Sequence, residues 1–251
     1  IQYAEHYYFN EEHGYENVHV YLGPQYSGCY THLSDGVGFA NYTAHGSETS
    51  WADPSFTVSN VYSLTNTDKY FWAMGNCCNA ADWGYYSTSF GEAMIRAEEK
   101  AAFSYIGSCP VTYWWEDYYF GVGATTITNR MPTFEETTMG NYDAQFLEDT
   151  YNTIAAVPFV GNLAVAYSHT ESGYESAATT RYYFEAYHVL GDASIMPYRS
   201  MPSENSVSHL PTVPIGMNFY TVNADPGSYV GISQNGVLYG AGMIGEAGTA
   251  N

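Results

Sequence analysis

Three near-continuous apolar runs recur along the chain: "VGFANYTA" at 37–44, "KYFWAMGNC" at 69–77 and "AAFSYIGSCP" at 101–110. Each stops at a polar or chain-breaking group, respectively "HGSE", the second cysteine of a pair, and Pro110. Apolar runs without polar alternation predict strands covered on both faces, as in a parallel sheet. Between them, "DPSFTVSNVYSLT" (53–65) and "SFGEAMIRAEEKA" (89–101) predict helices, the second with Phe90, Met94 and Ala97 on one face. "NYDAQFLEDTYNTIAAV" (141–157) and "TTRYYFEAYHVLGD" (179–192) predict two more, the last closed by Gly191. Strand and helix in alternation imply right-handed crossovers, hence an α/β layered domain with a mostly parallel sheet flanked by helices.

The texture changes after Asp192. "MPYRSMPSENSVSHLPTVP" (196–214) carries four prolines and no periodicity, which places a boundary near residue 205, between a domain at 1–205 and a second segment at 206–251. Beyond it, short alternating runs are separated by "DPG" and "QNG", the latter a hairpin signal. This reads as the start of a β-sandwich too short to complete one.

Composition narrows the partners. With 6 Lys and Arg against 26 Asp and Glu, the net charge of −20 disfavours nucleic acid and anionic membrane and favours cationic partners. Acidic stretches such as "NEEHGYEN" (10–17) also offer oxygen ligands for a structural calcium ion. No apolar run reaches the length of about 20 residues that spans a bilayer. Twenty-seven tyrosines and many neutral polar residues suit an exported, secreted or cell-surface protein. The four cysteines, Cys29, Cys77, Cys78 and Cys109, have no zinc-binding spacing. A bridge between neighbours would be strained; one between Cys29 and Cys109 stays open.

In a parallel sheet the C-terminal strand ends form the crevice where ligands bind. Two successive strands here end in His45 and in the Cys77–Cys78 pair, so one crossover brings an imidazole and a thiol to the same rim. Gly46 after the histidine, together with the N–H of the cysteine, suits a two-donor oxyanion pocket. Successive side chains of a strand face opposite ways, so only one cysteine of the pair looks into the crevice.

The stretches "NYTAHGSETSWADP" (41–54), "DKYFWAMGNCC" (68–78), "YIGSCPVTYWWEDYYFGVGA" (105–124) and "GSYVGISQNGVLYGAG" (227–242) resemble the gingipain family of cysteine endopeptidases, its lysine-specific branch in particular. The resemblance implies a caspase-like catalytic subdomain followed by an immunoglobulin-like domain, and needs no cofactor for its chemistry. It implies Cys78 as nucleophile and His45 as proton carrier, with Gly46 and Cys78 holding the oxyanion. Asp117 would lie at the bottom of the S1 pocket, lined by Thr43, Tyr113 and Trp114, so that a basic P1 residue is selected, Lys before Arg. The acidic residue that orients the histidine in the family corresponds to a segment preceding Ile1; Asp35 and Glu48 do not match it. The preceding part of the same polypeptide is therefore an expected partner, beside protein and peptide substrates. The chain departs from the family at Ser89, at Cys109 and at Trp115, which stands where relatives have glycine beside the S1 wall. The competing reading is a peptidase-derived adhesive or filament-forming surface protein.

Overall fold

The computed structural model describes residues 1–23, 25–147, 152–172, 179–199 and 204–250. They fall into two compact units, Ile1–Met201 and Pro202–Asn251. The first begins with helices α1 (Gln2–Tyr7) and α2 (Tyr26–Asp35), followed by strand β1 (Phe39–Thr43). A small antiparallel sheet follows, of β2 (Gly46–Ser47), β3 (Ser50–Trp51) and β4 (Phe56–Thr57), running into α3 (Val58–Ser63). Then come β5 (Phe71–Asn76), α4 (Phe90–Arg96), β6 (Ala102–Ser108), α5 (Trp114–Val122), α6 (Asn141–Ala144), α7 (Ala156–Ser172), α8 (Thr180–Ala186) and β7 (Tyr187–Gly191).

The main sheet has the order β1-β5-β6-β7; its first three strands are parallel and β7 is antiparallel to β6. The three apolar runs are thus its parallel strands. Their side chains alternate between two cores. Phe71, Ala73 and Tyr105 pack with Leu33, Val61, Phe90 and Met94 on one face. Trp72, Met74 and Ile106 pack with Phe120, Val157, Val165 and Tyr183 on the other. Each such fully buried large side chain stabilises the fold by roughly 1.5–3 kcal/mol, and coverage on both faces explains why β5 shows no polar alternation. Gly75 in that strand makes room for a neighbour: a Cβ there would lie 2.1 Å from the Tyr105 hydroxyl, which accepts from Trp51 Nε1 at 3.1 Å.

The helices depart from expectation in bounds and in one case in kind. The segment 53–65 is helical only from Val58, because Phe56 pairs with Trp51 and the Thr57–Asn60 capping box fixes the start there. The helix expected over 89–101 ends at Arg96, ahead of Glu99 and Ala101, which have positive φ. In 141–157 the helix stops at Ala144; Asn152 donates to the carbonyls of Gln145 and Leu147, taking acceptors a continuing helix would need. Residues 148–151 of that prediction lie outside the described residues. The predicted helix 179–192 is half strand: Tyr187–Gly191 pairs with Ser104–Ser108, a better use of an aromatic and β-branched "YHVLG" than a helix. Gly191 therefore ends a strand.

In the second unit β8 (Ser208–His209), β9 (Val222–Asn223) and β12 (Thr249–Ala250) form one antiparallel sheet. The hairpin of β10 (Tyr229–Gln234) and β11 (Val237–Met243) turns at Asn235-Gly236, both with positive φ as the "QNG" signal requires.

Candidate active site

β1 and β5 run level, with Thr43 opposite Asn76 in the register, so their C-terminal ends share one rim. His45 lies two residues beyond one strand and Cys78 two beyond the other. The turn after His45 sits against the cysteine pair. A Cβ on Gly46 would lie 2.6 Å from Cys77 Sγ and 2.7 Å from the Cys78 carbonyl oxygen, so glycine is required by close approach. The His45 ring is exposed while its backbone is pinned: Tyr42 donates its hydroxyl to the His45 carbonyl at 2.6 Å, and the Ala52 N–H reaches the same oxygen at 3.0 Å. The Tyr42 ring stacks on Trp51 with centroids 4.7 Å apart.

Strand alternation separates the two thiols. Cys77 is 1% exposed and belongs to the core of Phe71, Ala73 and Tyr105. Burial, with Asp117 and Cys78 adding to it, pushes its thiol well above the usual range, which leaves it an inert apolar side chain. Cys78 is half-buried and faces the other way, toward Thr112, whose N–H donates to Sγ at 3.3 Å. The next residue, Asn79, takes a left-handed φ of 58° that turns the chain at this point. All four cysteines are free, so no Cys29–Cys109 bridge forms.

Behind Cys78, at the start of α5, Asp117 is half-buried. Its Oδ2 accepts from the Thr112 hydroxyl at 2.6 Å, and its Oδ1 from Tyr183 at 3.1 Å and Tyr187 at 3.0 Å. Asn76 donates to the Asp117 carbonyl at 2.8 Å and so ties the end of β5 to α5. Burial pushes the Asp117 carboxyl up to about 6, only partly offset by the three hydroxyls. Thr43 is exposed at the end of β1, while Tyr113 is half-buried with its backbone held by the Tyr183 hydroxyl. Trp114 and Trp115 are 74% and 48% exposed at the first turn of α5.

Asn76 thus joins the end of β5 to the start of α5, and Thr112 joins Asp117 to Cys78, while Thr43 stands opposite Asn76 at the end of β1. Sequence reading missed Tyr42, Asn76, Thr112, Tyr183 and Tyr187. Asn76 was within reach, since it shares a strand face with Cys78; hydroxyl residues in a chain of 27 tyrosines carry no local mark. Next to Asp117, Glu116 is buried with His169 Nε2 3.4 Å from its Oε1, a pair held between α5 and α7. A separate cleft of about 650 Å³ runs along β1 and takes in Thr43, His19 and His32 but neither Cys78 nor Asp117. Among the described residues, no group of three or more His, Cys, Asp or Glu side chains could hold a metal ion; within 10–17, Asn10 caps the turn Glu11–His13. No helix among them is long and apolar enough to cross a membrane.

A helix-flanked, largely parallel sheet with a histidine turn and a cysteine turn on adjoining strand ends has the architecture of the caspase-like peptidases. The profile of Peptidase family C25 matches residues 2–198, and the chain belongs to that family. Lys-gingipain of Porphyromonas gingivalis is 53% identical over 250 residues, covering 100% of this chain; the chain spans 14% of that relative's length. A solved structure titled "Structure of Protease" superposes with a TM-score of 0.87 at 51% identity, over 99% of this chain and 55% of that one. The complex of Porphyromonas gingivalis RgpB pro- and mature domains has a TM-score of 0.72 at 20% identity, over 95% of this chain and 53% of that one, and shares the fold.

Proposed function

We propose that the protein is an exported cysteine endopeptidase that cleaves after basic residues, Lys before Arg. The observation that carries this reading is the half-buried Asp117 carboxylate, one threonine away from the Cys78 sulfur at the crevice of a family C25 fold. In the proposed cycle the Cys78 thiolate attacks the scissile carbonyl carbon while the N–H groups of Gly46 and Cys78 hold the oxyanion. His45 then gives its proton to the leaving amine and a thioester forms. Water, deprotonated by His45, attacks the thioester, releasing the acid and restoring the thiol. No cofactor enters any step.

A P1 lysine would lay its alkyl stem along Trp114 and Tyr113 and bring its ammonium to Asp117 and the Thr43 hydroxyl, a mix of point charge and hydroxyls that suits ammonium better than guanidinium. Trp115 would narrow the entrance. The identity to Lys-gingipain supports the same preference. The neutral-polar, Lys- and Arg-poor composition supports export, and the antiparallel pairs of the second unit support an immunoglobulin-like beginning. By analogy with the solved pro- and mature-domain complex, the preceding part of the same polypeptide is the proposed protein partner.

The test is turnover of Lys-, Arg- and Ala-P1 peptides under reducing conditions. Cys78→Ala is expected to abolish cleavage, Cys77→Ala to retain it with about 1 kcal/mol lost stability, and Asp117→Asn to lower cleavage after Lys by at least a hundredfold. Loss of activity in Cys77→Ala alone overturns the assignment, and an inactive parent favours an adhesive or filament-forming surface protein.

A further inference from the structure

The loop between β6 and α5 carries one residue, Thr112, that touches both Cys78 and Asp117, its hydroxyl also lying 3.8 Å from Cys78 Sγ. Thr112 directs its backbone N–H to Cys78 Sγ at 3.3 Å and its hydroxyl to Asp117 Oδ2 at 2.6 Å. Its carbonyl oxygen is 3.6 Å from the same sulfur, within reach of the hydrogen of a neutral thiol. The two protonation states of Cys78 therefore find different groups of one residue: the thiol its C=O, the thiolate its N–H. A hydrogen bond to the charged form favours that form.

The loop around Thr112 is braced from both sides. The Pro110 carbonyl accepts from the Asn79 N–H at 3.0 Å and from the Ser108 hydroxyl at 2.9 Å. Tyr182 donates to the Val111 carbonyl at 2.7 Å, and Tyr183 engages both backbone groups of Tyr113. To these braces the Thr112 hydroxyl adds its own bond to Asp117, a further constraint on the same loop.

We propose that Thr112 is a positioning residue that couples the nucleophile to the selectivity pocket: its hydroxyl, anchored on Asp117, aims its N–H at the Cys78 sulfur. The proposal deepens the peptidase reading and rests on it. A cation in the pocket neutralises the carboxylate that anchors Thr112, so occupancy of the P1 site is felt at the sulfur through a single residue. Other titratable groups around Cys78 are Cys77 before it, Tyr182 on α8 and His45 on the turn whose glycine abuts the pair.

The experiment compares Thr112→Val, nearly isosteric without the hydroxyl, and Thr112→Ser, which keeps it, in the full chain. The first readout is the pH profile of iodoacetamide alkylation of Cys78, followed by peptide mass spectrometry so that the other thiols are not counted. The second is kcat and KM for Lys-P1 and Ala-P1 peptides, and the melting temperature confirms that each variant folds. Thr112→Val is expected to move the alkylation midpoint upward by at least half a pH unit and to lower kcat on both peptides by about tenfold. It should also raise KM for the Lys peptide alone, and Thr112→Ser should recover the parent profile. An alkylation profile unmoved in a folded Thr112→Val overturns the coupling, as does a Thr112→Ser that behaves like Thr112→Val. A parent that alkylates at Cys78 yet cleaves nothing overturns the peptidase reading instead, and the alkylation profiles still decide the coupling.

Discussion

A carboxyl held near 6 in a site that would bind cations makes selectivity itself pH-dependent. Asp117 is raised by burial, so in the free protein it is largely neutral at pH 5 and ionised at pH 7. One unit below its pKa only about a tenth of a carboxyl is charged. The ratio of kcat/KM for a Lys-P1 peptide over an Ala-P1 peptide is expected to climb roughly tenfold from pH 5 to pH 7, with a midpoint near 6, and to stay flat in Asp117→Asn. A ratio indifferent to pH in the parent would remove Asp117 from the pocket. The sign for stability is opposite: the folded state holds its proton from 3.8 up to about 6 where the unfolded chain has lost it, so this group's contribution to stability falls across that window as pH rises. While the choice of Cys78 over Cys77 came from the family resemblance, that Cys77 and Cys78 face opposite ways and that His45 follows a strand end was legible in the sequence. The environment that tunes Asp117 was not, since Thr112, Tyr183 and Tyr187 come from three elements brought together only by folding.

At the scale of elements, the buried strands were legible because both faces are apolar, and the Ser89–Glu92 capping box marks the start of α4. The end of α8 was not: the strand character of Tyr187–Gly191 is decided by the free edge of β6, a partner the local pattern does not contain. Two substitutions separate elements that carry the site from elements that support the fold. Gly46→Ala drives a Cβ into Cys77 Sγ and the Cys78 carbonyl, lifting the His45 turn away from the cysteine turn. It is expected to lower kcat at least tenfold. Ser89→Ala removes one cap and should cost about 1 kcal/mol of stability while leaving kcat and KM within twofold. Denaturant melts and kinetics on the two variants check the contrast; equal kinetic losses would mean that α4, not the glycine contact, sets the geometry.

For the molecule as a whole, a net charge of −20 with only two lysines, Lys69 and Lys100, raises the question of how a chain proposed to cleave after lysine would survive its own company. The two lysines precede β5 and β6, and one buried side chain secures both. Asn66, 1% exposed, donates to the Lys69 carbonyl at 2.9 Å and the Ala101 carbonyl at 3.1 Å, and accepts from the Ala101 N–H at 2.8 Å. The carbonyl of the Lys69–Tyr70 bond and the nitrogen of the Lys100–Ala101 bond are thereby both engaged, while each ammonium is folded back onto a backbone carbonyl, Lys69 onto Asp35 and Lys100 onto Tyr62. A protease needs its substrate segment extended and unpaired, so the native chain should resist an added lysine-specific endopeptidase. Asn66→Ala leaves buried polar groups without partners, at a cost of about 1–3 kcal/mol, and should expose both bonds, giving fragments 1–69, 70–100 and 101–251 by mass spectrometry. An arginine-specific endopeptidase supplies the control: if cutting after Arg130 and Arg181 rises in the variant as much as cutting after the lysines, the effect is global unfolding and the local clamp is ruled out. Cutting confined to the two lysines would place the resistance of the molecule in one asparagine that bridges the starts of two neighbouring strands.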